Sequence, residues 1–206
     1  MDDGSLQMSF SMPASGPHPA LQAADGPVRP PEPLRLWTIG HSSHPLDEFI
    51  ALLQGQQIGC LADVRRYPGS RAHPHFNVGP LAAALARVEI DYQPFTELGG
   101  RRKARPGSTN TVWRNASFRG YADYMETPEF RAGLERLLAL AAQTRCAIMC
   151  SEALWWRCHR SLIADVLKAR GDDILHIMGG GTVTEHPYTS AAQVEDGHLH
   201  YGSAPV

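Results

Sequence analysis

Five short apolar runs, each separated from the next by a stretch long enough for a crossover, constrain this chain more than any other feature. They are Leu34–Ile39, Ile58–Val64, Ile90–Tyr92, Cys146–Cys150 and Ile174–Met178. Parallel strands cannot be joined by tight turns, so strand-like runs alternating with helix-length segments imply a parallel sheet covered by helices. The first unit is explicit: Gly40 stops the strand, Ser43 or His44 caps a helix opened by Pro45, and Phe49, Ile50, Leu52 and Leu53 form its buried stripe. A second strand then ends at Asp63-Val64-Arg65, which completes a βαβ unit. Later helices are expected after Pro80, near Tyr121, from a Thr127 cap with Phe130, Leu134, Leu137, Leu138 and Ala141 at helical spacing, and over Arg157–Arg170 with Gly171 at its end. The expected fold is a three-layer α/β domain with a mostly parallel sheet.

The ordered part should span residues 34–190. Residues 1–33 are rich in Pro, Gly, Ser and Ala with few large apolar side chains, and are expected to be a disordered tail. Residues 191–206 are expected to be a weakly ordered C-terminal tail. With 206 residues, 43% of them hydrophobic, one core is the expectation. A net charge of −2 gives no overall basic field, so any hold on a polyanion must come from a local patch. Cys60, Cys146, Cys150 and Cys158 sit in or beside apolar runs, which reads as reduced thiols and favours the cytoplasm. No run approaches the roughly 20 residues that span a bilayer, and the N-terminus lacks the pattern of a signal peptide, so a soluble protein with no membrane partner is expected.

Right-handed crossovers bring strand ends to one edge of a parallel sheet, where ligands bind. Here those ends are Gly40-His41-Ser42, Asp63 with Arg65, and Cys150-Ser151-Glu152. Asp63 and Glu152 can form a carboxylate pair in which burial raises one pKa and leaves the other group ionised to activate water; pairing with arginine or helix capping is their structural alternative. Arg65 and Arg160 can present guanidinium forks to a phosphate or carboxylate. His41 or His159 can move a proton.

Cys150 becomes a nucleophile only if its pKa is depressed, and a helix N-terminus, His159 and nearby arginines are the groups that would do so. Cys158, His159, His176 and His186 are thiolate and imidazole donors suited to zinc or iron. They lack paired ligand spacing, so no cofactor is expected and a Zn or Fe ion is the alternative. The loop from Leu98 to about Arg119 carries Arg101, Arg102, Lys103, Arg105, Arg114 and Arg119 interleaved with Trp113, Phe118 and Tyr121. That density of cations with aromatic faces is the local patch a nucleic acid would need, and a solvated basic loop is its structural alternative. No phosphate-binding glycine fingerprint occurs.

The ordered set Thr38-Ile39-Gly40-His41-Ser42, Asp63-Val64-Arg65 with Pro68 and Ser70, Leu98-Gly99-Gly100, Cys150-x-Glu152 before Cys158-His159-Arg160, and His176-Ile177 before His186-Pro187 resembles the domain of unknown function 488 (DUF488) family over roughly residues 34–190. The resemblance implies a Rossmann-like α/β fold in a small cytoplasmic bacterial protein, whose relatives are suspected of acting on nucleic acids or modified bases. The positions it would carry over are Gly40, His41, Ser42, Asp63, Arg65, Cys150, Glu152, Cys158, His159, Arg160, His176 and His186.

The leading expectation is therefore an enzyme acting on nucleic acid, DNA first, or on nucleotides. Its most concrete form is hydrolysis of the N-glycosidic bond of a modified base by carboxylate-activated water at Asp63 or Glu152. Gly40, Ser42, Arg65, Ser70 and Arg160 would bind substrate, and an extrahelical base would stack on Trp155 or Trp156. The alternatives are a thiol- or metal-dependent enzyme acting on a small anion, and a non-catalytic nucleotide-binding module. Oligomeric state does not follow from the sequence.

Overall fold

The computed structural model describes Met1 and residues 32–195 and 197–202. The tail expected over residues 1–33 lies, apart from Met1, Glu32 and Pro33, outside the described residues. The chain runs β1 (Arg35–Gly40), α1 (Leu46–Gly55), β2 (Cys60–Asp63), α2 (Val78–Ala86), β3 (Asp91–Pro94), α3 (Ala116–Met125), α4 (Pro128–Ala141), β4 (Cys146–Cys150), α5 (Arg160–Ala169), β5 (Asp173–Ile177), β6 (Val183–Glu185), β7 (Gln193–Glu195) and β8 (His198–His200). Strands β1 to β6 form one sheet in the order β3-β2-β4-β1-β5-β6, parallel throughout except for the antiparallel edge strand β6.

Strand side chains alternate between the sheet's two faces, and each face has its own core. Leu36, Ala62, Cys146, Ile148 and Ile174 pack with Tyr121 of α3, Phe130 and Leu137 of α4, and Leu162 and Leu167 of α5. Trp37, Ile39, Leu61, Ala147 and Met149 pack on the opposite face with Phe49 and Leu53 of α1 and Leu81 and Leu85 of α2. Central strands buried on both faces must be apolar along their whole length, and every residue of Cys146–Cys150 is buried. Thr127 caps α4, its hydroxyl accepting from the Phe130 N–H, with Pro128 in the first turn.

Two regions differ from expectation. Helix α5 starts at Arg160, because Trp155–Arg157 forms a separate 3-10 turn whose Trp155 ring stacks on His176 at a centroid separation of 4.4 Å. The C-terminal segment, expected to be weakly ordered, forms the β7–β8 hairpin, and the buried Tyr201 that follows donates to Asp165 Oδ2 at 2.9 Å. One aromatic anchor with a hydrogen-bond partner fixes a segment that has no apolar period of its own.

Strands β1 and β4 are neighbours, but the helix following β1 covers one face of the sheet and the helix following β4 covers the other. Such a divergence opens a crevice at the C-terminal ends of the two strands. It gathers the residues that follow β1, β2 and β4 at one edge of the sheet.

Candidate functional site

The β1–β4 pairing continues past the strands, with the His41 N–H donating to the Cys150 carbonyl at 2.9 Å and the Ser42 N–H to the Ser151 carbonyl at 3.0 Å. This draws the two loops so close that a Cβ at Gly40 would lie 1.9 Å from the Glu152 carbonyl oxygen. Gly40→Ala must displace backbone, so a loss of about 2 kcal/mol in unfolding free energy is expected in urea titrations. Ser42 at φ 44° and Arg101 at φ 57° hold left-handed conformations at the mouth of the crevice, where an L-residue is disfavoured by about 1–2 kcal/mol.

The crevice is a cavity of about 590 Å³. Arg65, Arg66, Arg101 and Arg157 line it with His41, His73 and Tyr121, and among the described residues Glu152 is the one carboxylate on its wall. Its size suits a small molecule and its cations suit an anion. Of the residues predicted from the strand ends and the motifs beside them, His41, Ser42, Arg65, Ser70, Cys150, Glu152, Cys158 and His159 line this one cavity, while Gly40 and Asp63 do not.

Cys150, Cys158 and His159 meet at its floor. His159 Nδ1 lies 3.6 Å from Cys158 Sγ and 4.0 Å from Cys150 Sγ. On the far side of the ring, Nε2 lies 3.2 Å from the Val64 carbonyl, which can only accept, so Nε2–H donates to it and Nδ1 faces the sulfurs. A Cβ at Gly100 would sit 2.8 Å from that Nδ1, so only glycine lets the loop backbone close over the ring. Burial alone would raise the Cys158 thiol. The neighbouring Cys150 and the positive charge of Arg160 outweigh burial and bring Cys158 down to about 6. The neighbouring Cys158, together with burial, pushes Cys150 up to about 12. Of the two sulfurs, Cys158 is shifted towards the thiolate and Cys150, the thiol offered by the sequence as nucleophile, is shifted away from it.

Asp63 is buried, and its carboxylate is taken up by its neighbours. It accepts from Arg65 Nε at 2.9 Å and Arg65 Nη2 at 2.6 Å, from the Arg65 backbone N–H at 3.0 Å, and from the Tyr92 hydroxyl at 2.6 Å. Arg65 also donates to the Phe76 carbonyl at 2.8 Å and to His41 Nε2 at 3.2 Å, while His41 Nδ1–H donates to the Ser42 carbonyl. Burial and the Arg65 charge lower the His41 pKa to about 4, so it is neutral at pH 7.

Arg160, His176 and His186 fall in a different network, as one directional chain of buried hydrogen bonds. Arg160 Nη1 donates to Thr38 Oγ1 at 3.1 Å, Thr38 to His176 Nδ1 at 2.8 Å, His176 Nε2 to His186 Nδ1 at 2.9 Å, and His186 Nε2 to Asp165 Oδ1 at 3.0 Å. Asp165 fixes the last of these directions, because its carboxylate can only accept, and the others follow with one proton on each ring. The other arm of Arg160 donates to the Glu152 carbonyl at 2.5 Å, so this guanidinium holds the loop after β4 from beneath. The alternative metal set of Cys158, His159, His176 and His186 is therefore divided between two places, and Cys150 is the residue that joins Cys158 and His159. Asp165, the acceptor for His186, Thr189 and Tyr201, carries no sequence signal beyond being an acid on the buried side of an amphipathic helix.

Trp155 packs on His176, and Trp156 is exposed; neither lines the cavity. In the basic loop, Trp113 stacks on Phe118 at 4.7 Å, Arg102 lies 3.5 Å over the Tyr124 ring, and Arg105 pairs with Glu126 and Asp123. Arg101, Lys103 and Arg114 are exposed or half-exposed, and Arg119 is half-buried. Arg157 also lines the cavity, as do Arg66, His73 and Tyr67, which the sequence does not single out; Arg66 is legible only as a cation flanking a motif residue.

The family model described as domain of unknown function DUF488 matches residues 45–167. The chain belongs to the DUF488 family. No curated protein matches the chain, and no solved structure matches it. The DUF488 match contains Asp63, Arg65, Gly99, Gly100, Cys150, Glu152, Cys158, His159 and Arg160, while Gly40, His41, Ser42, His176 and His186 lie outside its bounds.

Proposed function

We propose that this DUF488 protein is a thiol-dependent enzyme acting on a small anionic substrate, with Cys158 as nucleophile. The observation that carries this reading is the meeting of two thiols and an imidazole on the floor of an arginine-lined cavity at the switch point of the sheet. Arg66, Arg101 and Arg157 would hold the phosphate or carboxylate of the substrate, and a nucleotide belongs to that class. The Cys158 sulfur would attack the electrophilic centre, the leaving group would depart with its electron pair, and water would release the covalent intermediate.

Hydrolysis of an N-glycosidic bond, with nucleic acid as partner, draws less support from the geometry. Asp63 is engaged by Arg65 and Tyr92, and neither Trp155 nor Trp156 faces the cavity. Turnover of a panel of small phosphate- and carboxylate-bearing esters tests the choice. Activity abolished in Cys158→Ser is expected. Activity retained in Cys158→Ser but lost in Glu152→Gln would instead assign the chemistry to a carboxylate-activated water.

A further inference from the structure

We infer that Cys150, Cys158 and His159 form a binding site for one soft divalent cation, zinc above all, at the floor of the cavity. The donor atoms are already spaced for it. Zinc bonds of about 2.3 Å to sulfur and about 2.0–2.1 Å to nitrogen, at tetrahedral angles, put a thiolate and an imidazole nitrogen about 3.5–3.6 Å apart. His159 Nδ1 lies 3.6 Å from Cys158 Sγ and 4.0 Å from Cys150 Sγ, and the three donor atoms all fall within 4.8 Å of one another. Ligation requires small side-chain adjustments and no movement of the fold.

A second observation points the same way and is independent of the sulfurs. A metal-binding histidine characteristically donates its other ring N–H to a carbonyl or carboxylate, which fixes the tautomer and aims the ligating lone pair. His159 does this through Nε2 to the Val64 carbonyl at 3.2 Å. Gly100 then seals the ring from the loop side. The cluster also differs from the other cysteine pair, Cys60 and Cys146, which is fully buried between β2 and β4 and belongs to no such donor group among the described residues.

Thiolates and not thiols ligate zinc, so binding is accompanied by proton release to solvent. Three protein ligands leave its fourth position facing the arginine-lined cavity, where water or an anion's oxygen would complete the coordination. Since a sulfur cannot be both zinc ligand and attacking nucleophile, the zinc-loaded protein is the form in which Cys158 is masked. The inference stands on ligand geometry and does not depend on which electrophile the cavity takes.

The test is titration of the reduced, chelator-treated full chain with Co(II) and then Zn(II). One equivalent of Co(II) is expected to give a thiolate-to-cobalt charge-transfer band with the visible bands of tetrahedral coordination, and zinc should displace it. Cys150→Ser and His159→Ala should each weaken zinc binding by about 100-fold or more, and Cys60→Ser should leave it unchanged. Zinc protection of Cys158 from alkylation, measured on the unmutated chain, gives a readout free of any folding defect in the variants; protection of at least about tenfold is expected. No charge-transfer band together with no protection, or zinc binding that follows Cys60 and not Cys150, would overturn the inference. Reactive Cys158 that zinc does not protect removes the metal site alone and leaves the thiol enzyme standing, while a protected Cys158 with no ester turnover does the reverse.

Discussion

Alkylation of Cys158, followed by peptide mapping across a pH series, is expected to titrate with a midpoint near 6, where an unperturbed cysteine titrates near 8.5. The sign follows from the depressed pKa. The thiolate persists above about pH 7, and the rate falls about tenfold per unit once the pH drops below the midpoint. Cys150→Ala removes a neighbour that lowers the Cys158 pKa, and an interaction worth about 1 kcal/mol raises the midpoint by about one unit. Cys60 and Cys146, both fully buried, should remain unmodified over the same interval. A Cys158 midpoint between about 8 and 9, the ordinary cysteine range, would mean that burial wins over Cys150 and Arg160, and the nucleophile assignment would go with it.

The second large effect lies away from the cavity. Asp165→Ala deletes the acceptor for four donors, His186 Nε2–H, the Thr189 N–H, the Thr189 hydroxyl and the Tyr201 hydroxyl. Each buried donor left unpaired costs about 1–3 kcal/mol, so a loss of about 4 kcal/mol or more in urea unfolding is expected. The segment from Thr189 to Tyr201 should detach first, visible as faster amide exchange in the β7–β8 hairpin. Since Asp165 also ends the chain that starts at Arg160, the loop at Glu152 should loosen as well. A variant as stable as the parent would show that the buried chain contributes nothing to holding the C-terminal segment.

The parallel sheet is legible because its strands are buried on both faces and leave short apolar runs between helices. Cys146–Cys150 is a strand in both the sequence reading and the structure. Gly40, Asp63 and Cys150 end strands that lie side by side, which is why residues far apart in sequence can be assigned to one sheet edge from the order of the elements. What local patterns cannot give is the destination of a long side chain. Arg160 sits two residues after Cys158, but it points under the sheet edge to Thr38 and the Glu152 carbonyl, because a buried guanidinium must find acceptors. The same need ties Asp63 to Arg65 and Tyr92, and His176 to His186. The C-terminal hairpin is not legible, because its stability comes from Tyr201 and a distant aspartate and not from a pattern within the segment.

A thiolate at the floor of a cation-lined cavity is revealed by the ratio of Cys158 alkylation rates with iodoacetate and iodoacetamide. An ordinary thiolate repels the anionic reagent and prefers the neutral amide. In this cavity Arg66, Arg101 and Arg157 should draw the carboxylate in, reversing the preference by about tenfold at low ionic strength and losing the reversal in high salt. An unreversed preference at Cys158, insensitive to salt, would contradict the account.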